Sequence, residues 1–202
     1  LSGKDTFGCE NNDQIIVSLQ ERPNFKIQGI DEICVNNTAE LNADNPSLTY
    51  IWMNANNDTI WKTTGTDVFS IKITQDTTLT VHGITTDGLA CENIATHSIK
   101  ANPYPVISIA KADSAVCYNN QAYLEIKTDI DATFLWDNNR TERYIQEIIT
   151  MDSTRFIVHA TSTAETHCVT KDTFYVGMYQ LPTILTKDTA ICYGDTAQLI
   201  AT

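Results

Sequence analysis

The chain is built from short runs in which apolar and polar residues alternate. In the run from 48 to 53, Leu48, Tyr50 and Trp52 fall on one face of an extended chain, because successive side chains of a strand point to opposite faces. The runs from 68 to 73 and from 76 to 83 alternate in the same way. No stretch shows the period of about 3.6 residues that marks an amphipathic helix. The pattern therefore predicts an all-β protein.

The second half of the chain repeats this order of runs, with Phe134 and Trp136 in the places of Tyr50 and Trp52. Short strands separated by polar turns every 8 to 12 residues or so are typical of an antiparallel β-sandwich. Other strands are predicted at 14–19, from Phe25 to Ile30, at Ile60–Trp61 and at 94–99.

One nine-residue motif occurs three times. It reads ICVNNTAEL from Ile33, VCYNNQAYL from Val116 and ICYGDTAQL from Ile191. Recurrence at a fixed period is the signature of tandem modules. Its cysteines, Cys34, Cys117 and Cys192, are 83 and 75 residues apart, so each module is about 75–83 residues long. We call these three the first cysteine series.

A second cysteine series, Cys9, Cys91 and Cys168, follows polar turns at intervals of 82 and 77 residues. Six cysteines allow fifteen connectivities, and repeat phase favours one bridge in each module. The predicted disulfides are Cys34–Cys91 and Cys117–Cys168. Cys9 and Cys192 are then left to incomplete modules. The alternative is that the cysteines are buried free thiols.

Prolines mark the predicted module joints, because proline cannot donate to a sheet ladder. They are Pro23, Pro103, Pro105 and Pro182. The predicted organisation is the end of a preceding module (1–22), module one (23–103), module two (104–181) and the start of a following module (182–202). We expect the chain to be a segment of a longer polypeptide.

Composition narrows the class of protein. Of the 202 residues, 42% are hydrophobic, which is enough to form hydrophobic cores. The net charge of −12 argues against nucleic acid and anionic membrane as partners, since the chain offers no basic surface. No run approaches the roughly 18 apolar residues of a membrane-spanning helix. Cysteines in phase with a repeat indicate an oxidising, extracellular compartment.

Large aromatic residues are predicted to anchor the two cores. Trp52 and Trp136 lie 18 and 19 residues after the first cysteine of their modules, with Tyr50 and Phe134 two positions earlier. Stacking of a tryptophan on a ligand is the alternative. Trp61 has no counterpart in module two, so it is the first candidate for stacking on a sugar.

The order of motifs resembles a known family. A cysteine, a turn and A-x-L are followed by Y-x-W or F-x-W, an I-x-I strand, TTLTV, and a turn with the second cysteine; Cys192 to Asp195 reads CYGD. This resembles the Ig-like or PKD-like tandem repeats of large Bacteroidota surface proteins, including gliding-motility adhesins and other cargo of the type IX secretion system. The resemblance implies tandem Ig-like antiparallel β-sandwich modules.

The resemblance also implies O-glycosylation of Ser or Thr after Asp, although an Asp- and Thr-rich chain yields such sites by chance. The candidate acceptors are Thr59, Thr77, Ser114, Ser153, Thr189 and Thr196.

Residues that could perform a reaction do not form a recognisable motif. No phosphate loop, nucleophile elbow, zinc spacing or HExxH is present. His82 and His159 occupy matching places in the two modules, which favours a structural role. Asp129 with Asp131, and Asp87 near Glu92, could hold calcium, but solvated turns are the favoured interpretation. No catalytic residue, metal or cofactor is expected.

The sequence therefore predicts a non-catalytic segment of a large secreted surface protein, acting as a disulfide-stapled spacer or filament-forming stalk. Its expected partners are neighbouring modules and other surface proteins or glycans. The alternative is a carbohydrate-binding accessory region of a secreted enzyme, with Trp61, Tyr118 and Tyr144 as its only candidate aromatic contacts.

Overall fold

The structure, a computed structural model, describes residues 1–184, 188 and 190–198. All regular secondary structure within these residues is β-strand, which confirms the all-β prediction. The chain divides into two compact units, Leu1–Asn102 and Pro103–Thr202. The division falls in the stretch NPYP, where proline restricts the backbone. The predicted boundaries at 22/23 and 181/182 stay predictions.

The first unit is made of two packed sheets and a separate hairpin. Its strands are β1 (Ser2–Lys4), β2 (Glu10–Asn12), β3 (Ile27–Gly29), β4 (Glu32–Cys34), β5 (Thr38–Ala43), β6 (Leu48–Met53), β7 (Thr59–Thr64), β8 (Phe69–Lys72), β9 (Thr77–Thr85) and β10 (Glu92–Asn102). One sheet has the order β4-β10-β9-β6-β7 and the other the order β3-β5-β8, while β1 pairs only with β2.

The core of the first unit follows the alternation of its strands. Along β6, Leu48, Tyr50 and Trp52 are buried while the residues between them are half-buried. They pack in one cluster with Leu79 and Val81 of β9. This is the arrangement of an antiparallel sandwich, in which the inward faces of both sheets form the core.

The second unit repeats the plan. Its strands are β11 (Ile107–Ala112), β12 (Ala115–Cys117), β13 (Gln121–Thr128), β14 (Ala132–Trp136), β15 (Tyr144–Ile148), β16 (Ser153–Ser162) and β17 (Val169–Tyr179). The sheets have the orders β11-β13-β15 and β12-β17-β16-β14. Ala122, Leu124 and Ile126 of β13 join Trp136 and Val158 in the core.

The opening strand of each sandwich is split between its two sheets, which the sequence did not predict. In place of the single strand expected from Phe25 to Ile30, the first unit has β3, antiparallel to β5, and then β4 at Glu32–Cys34, parallel to β10. Strands β11 and β12 divide in the same way. Alternation of side chains cannot reveal this, because the break changes the hydrogen-bonding partner and not the polarity of the residues.

Two other strand predictions need correction. The strand predicted at 14–19 does not form, and its apolar residues Ile15, Val17 and Leu19 are 69%, 82% and 96% exposed. A strand needs a neighbouring edge for its backbone groups, and the described residues place none beside it. Conversely, β7 is six residues long, longer than the pair Ile60–Trp61 that was predicted.

Candidate functional site

The first cysteine series lies in a turn that recurs three times. The carbonyl of Cys34 accepts the N–H of Asn37 at 3.1 Å, and that of Cys117 accepts the N–H of Asn120 at 2.9 Å. The intervening residues, Asn36 and Asn119, have positive φ angles of 68° and 62°. Asparagine tolerates this left-handed backbone. In the third copy the carbonyl of Cys192 accepts the N–H of Asp195, and Gly194 has a φ of 93°.

The second cysteine series lies at a hairpin tip. Cys91 donates its N–H to Thr85 Oγ1 at 3.1 Å, while its carbonyl accepts the N–H of Thr85 at 3.0 Å. Cys168 and Ser162 make the same pair of hydrogen bonds at 3.0 and 2.9 Å. A Ser or Thr hydroxyl six residues before the cysteine therefore closes both tips.

The predicted disulfides are wrong. Cys91 and Cys117 are free thiols, whereas Cys34 and Cys168 are each disulfide-bonded. The prediction of one bridge in each module fails with them.

Strand length explains the error. Cys91 directly precedes β10, whereas Cys34 pairs with Asn102 at the other end of that 11-residue strand. At about 3.3 Å per residue the two cysteines of this module are separated by about 36 Å. A disulfide needs Cα atoms within about 7 Å. The second unit has the same arrangement, with Cys168 before the 11-residue β17 and Cys117 paired with Tyr179 at its end.

The structure buries the candidate core aromatics to different extents. Trp52, Tyr50 and Trp136 are at most 1% exposed, while Phe134 is half-buried against the core of the second unit. Tyr50 donates its hydroxyl to the carbonyl of Asn45 at 2.8 Å. Burial raises the pKa of Tyr50, so it stays a neutral donor.

Trp61, the first candidate for sugar stacking, lies against the core of the first unit. Its ring stacks on Phe69 with a centroid distance of 5.1 Å and an interplanar angle of 16°. It is half-buried and also lies 6.3 Å from Trp52. One face of the indole is therefore already occupied by protein.

An aromatic pair on the second unit is more open. Tyr144 is 44% exposed and stacks on Tyr123 at 5.8 Å, and Lys111 Nζ lies 5.2 Å from the Tyr123 ring. The Tyr123 hydroxyl donates to Glu125 at 2.8 Å, and this hydrogen bond raises the pKa of Tyr123. Sequence reasoning missed Tyr123; its outward position in the alternation of β13 was the available signal. Tyr118, the third candidate, is 43% exposed.

The candidate glycosylation sites lie at or near the surface. Thr59, Ser114, Ser153 and Thr196 are exposed. Thr77 is half-buried and donates its hydroxyl to the carbonyl of Gln75 at 2.8 Å. Thr189 lies outside the described residues. Occupancy of these sites stays a prediction.

The acidic turns use their carboxylates to hold the backbone. Asp129 accepts the N–H of Val106 at 2.7 Å. Asp87 accepts the Thr85 hydroxyl at 2.8 Å and the N–H of Leu89 at 3.1 Å, and these bonds lower the pKa of Asp87. Across the described residues, no group of three or more His, Cys, Asp or Glu side chains is placed to hold a metal ion.

The matching histidines have different neighbours. His82 Nδ1 pairs with the carboxylate of Glu92. His159 lies opposite Leu135 and Lys171 in its sheet.

An open groove of about 440 Å³ in the second unit is lined by Lys127, Thr128, Asp129, Ile130, Asp131, Ala132, Arg143 and Thr163. This lining contains no nucleophile paired with a base, which is the arrangement that covalent catalysis requires.

Glu32 lies near the first cysteine series and has a defined charge environment. Its carboxylate accepts a hydrogen bond from Asn102 Nδ2 at 2.7 Å and lies 3.5 Å from Lys100 Nζ. The hydrogen bond from Asn102, with the nearby Lys100 charge, lowers the pKa of Glu32. Glu32 is therefore ionised at neutral pH.

Comparison with known proteins gives only distant structural similarity. No family model and no curated protein matches the chain. It is similar to a structure described as "Ca2+-stabilized adhesin helps an Antarctic bacterium reach out and bind ice", with a TM-score of 0.47 and 12% identity over 83% of this chain and 52% of the other. The chain thus spans about half the length of that structure.

A second similar structure is described as "Crystal structure of Dpr11 IG1 bound to DIP-gamma IG+IG2", with a TM-score of 0.30 and 10% identity over 78% of this chain and 99% of the other. Among the described residues, no helix is long and apolar enough to cross a membrane.

Proposed function

We propose that this chain is a structural or adhesive repeat segment of a large secreted surface protein, and that it acts as a disulfide-stapled spacer. The observation that carries the proposal is the recurrence of one cysteine turn, at Cys34, Cys117 and Cys192, together with one sandwich plan in both units. Repeated modules of one plan serve to set a distance, because each added copy extends the array.

The disulfide supports a mechanical role. Cys34 and Cys168 are each disulfide-bonded. Tension applied to the ends of a chain passes through a disulfide, so the residues inside the loop that it closes are protected from extension. A spacer that carries load benefits from such protection, since its folded parts are not drawn out when the protein is pulled.

Single-molecule pulling tests this role. With its disulfide bonding intact, the chain pulled from its ends should reach a shorter contour length than the reduced chain, because residues inside a loop closed by a disulfide cannot extend. A reductant should release the missing length. The variant C34S/C168S should extend fully in both conditions. Equal extension of the oxidised and reduced wild-type chain would contradict the spacer role.

The resemblance noted in the sequence extends the proposal. Under it the segment belongs to a Bacteroidota surface protein exported by the type IX system, with glycans on some of the exposed Ser and Thr residues. Sequences that flank the segment in its full-length polypeptide test this extension. Further repeats of the same cysteine motif would support the spacer, whereas a hydrolase domain would support an accessory role.

The stacked pair of half-buried Tyr123 and exposed Tyr144 favours a second candidate function, binding of glycans. Stacked aromatic rings with a nearby cation form a platform of the kind that sugars contact. Screening the chain on a glycan array should then give binding that Y144A abolishes, while V106A, a change of an exposed residue elsewhere in the same unit, leaves it intact. Absence of binding by the wild-type chain would remove this candidate.

A further inference from the structure

The two sandwiches differ at one edge of their larger sheets. In the first unit β6 is covered by β7, whereas in the second unit the equivalent strand, β14, is the last strand of its sheet. The equivalence follows from the pairing of Trp52 with Val81 and of Trp136 with Val158. Among the described residues, no strand pairs with the outer side of β14. The second unit therefore has an open edge where the first unit has a strand.

The backbone of β14 shows which groups point to the open side. The N–H of Asp137 donates to the carbonyl of Ile157 at 3.0 Å, so the backbone of Asp137 faces β16. Backbone groups alternate in direction along a strand, so those of Trp136, Phe134 and Ala132 face away from β16. Trp136 uses its N–H and its carbonyl in the turn that follows. The N–H and carbonyl groups of Ala132 and Phe134 are left for a further strand.

The surroundings of this edge also lack the cover that β7 provides. Phe134 is half-buried, whereas its equivalent in the first unit, Tyr50, is fully buried. The open groove of about 440 Å³ lies beside Ala132. In the first unit the residue after β7, Gly65, donates its N–H at 2.9 Å to the carbonyl of Leu48, which is the equivalent of Ala132. A strand added to β14 would therefore cover Phe134 and run into the groove.

The composition of the edge strands singles out β14. A sheet edge can pair with another chain, and proteins commonly prevent this with charged residues or with very short edge strands. Every other strand at the edge of a described sheet is three residues long or contains a lysine or a glutamate. Strand β14 has five residues, none of them charged, and its threonine and aromatic residues favour strand structure. It therefore lacks the features that protect the other edges from pairing.

We propose that the edge of β14 binds an extended segment of a partner protein, which adds to the sheet as a further antiparallel strand. The segment resembles β7, with β-branched or aromatic residues and no acidic ones. A second copy of the chain fits less well, because each copy has a net charge of −12 and the two repel. A five-residue edge is also only about 17 Å long. That is too short for the roughly 1,600 Å² that a stable contact between folded proteins buries, whereas an extended segment binds through its backbone.

A capped synthetic peptide with the sequence Thr59–Thr66 is the probe, because it contains β7, one lysine and no acidic residue. Since Gly65 donates to β6, alternation directs the N–H of Thr63 to the same side and that of Lys62 away from it. The unmodified peptide should bind the whole chain, as measured by fluorescence anisotropy. N-methylation at Thr63 should weaken binding at least tenfold. N-methylation at Lys62 is the matched control and should change binding less than twofold.

Two further measurements locate the bound peptide. The amides of Ala132 and Phe134 should exchange with solvent at least tenfold more slowly in the complex. The variant A132P removes one outward N–H and no hydrogen bond to β16, so it should weaken peptide binding.

Absence of binding, equal weakening by the two methylations, or protection confined to other strands would overturn the proposal. Self-association of the chain that A132P abolishes, without peptide binding, would make a second copy the occupant and would also overturn it. Each of these results would leave the spacer proposal standing, since that proposal depends on the repeated fold and not on this edge.

Discussion

The two units each bury a tryptophan at equivalent positions, but they differ in the hydrogen bonding of its indole N–H. Trp52 and Trp136 each pair with a valine of the neighbouring long strand. Trp136 Nε1 donates to the carbonyl of Glu142 at 2.8 Å. The buried Nε1 of Trp52 has no hydrogen-bond acceptor among the described residues. The same residue therefore has a complete polar environment in one unit and an incomplete one in the other.

The strand that follows explains this difference. After Trp136 the chain loops back, so the Glu142 carbonyl comes within reach of the indole. After Trp52 the chain turns into β7, which pairs with β6. Trp61 of this strand lies 6.3 Å from Trp52, and Phe69 of β8 lies 5.2 Å from it, so the three rings form an aromatic cluster. The first unit thus has an added strand and more aromatic packing, but lacks the hydrogen bond.

Replacing each tryptophan by phenylalanine should show the largest contrast. W136F loses ring volume and a hydrogen bond worth about 1 kcal/mol. W52F also loses ring volume, but it removes a buried unsatisfied donor whose presence costs about 1–3 kcal/mol. W136F should therefore lower the free energy of unfolding of its unit more than W52F does, by about 2 kcal/mol.

Hydrogen exchange followed by mass spectrometry measures this on the whole chain, because peptides from β9 and β16 report on the two units separately. Y175F, at an exposed residue of the second unit, is the control and should change little. An equal or larger loss for W52F would show that the hydrogen bond does not distinguish the two units.

A second contrast concerns the residues that fill the end of each core. In the first unit Phe25 packs edge-on against Tyr50 at 5.2 Å, and Gly83 lies beneath the Phe25 ring. Lys26 and Val106 each donate their N–H to an aspartate, so they hold equivalent positions in the two units. The residues directly before them, Phe25 and Pro105, are therefore equivalent as well. Ala160 is likewise the equivalent of Gly83. A larger ring is thus matched with glycine and a smaller one with alanine.

The substitution G83A should break this match. The added Cβ would lie 2.5 Å from Phe25 Cε1, and overpacking of this kind costs about 1–3 kcal/mol. Exchange of β9 peptides should therefore become faster. In the F25A background the same substitution should cost much less, and G3A, where a Cβ meets nothing within 4 Å, should be neutral. An unchanged cost in F25A would mean that Phe25 is not the opposing group.

These contrasts also separate what the sequence predicts from what it does not. Alternation places Leu48, Tyr50 and Trp52 on a buried face because side-chain direction depends only on position along a strand. The phase of the repeat shows that Cys34 is equivalent to Cys117 and that Cys91 is equivalent to Cys168. It does not show which cysteines are bonded, because the parallel pairing of β4 with β10 sets the distance between the two series. Parallel pairing has no signature in the alternation of apolar and polar residues.

The smallest expected effect concerns Glu32, whose place in the second unit is taken by Ala115. A folded-state pKa below the ordinary value of 4.5 means that ionised Glu32 stabilises the first unit at neutral pH. This stabilisation is complete above the ordinary value and is lost as pH falls below it toward the lowered pKa. As pH falls below about 4.5, β10 peptides of the first unit should therefore lose protection.

The variant E32Q isolates this contribution. Glutamine keeps an oxygen that can accept from Asn102 Nδ2 but has no charge to titrate, so its exchange rates should depend less on pH over the same range. The loss at neutral pH should be small, because the Glu32 side chain is 35% exposed and an exposed ion pair with Lys100 contributes little. If wild-type and E32Q proteins lose protection in parallel as pH falls, another carboxyl group controls the acid response of the first unit.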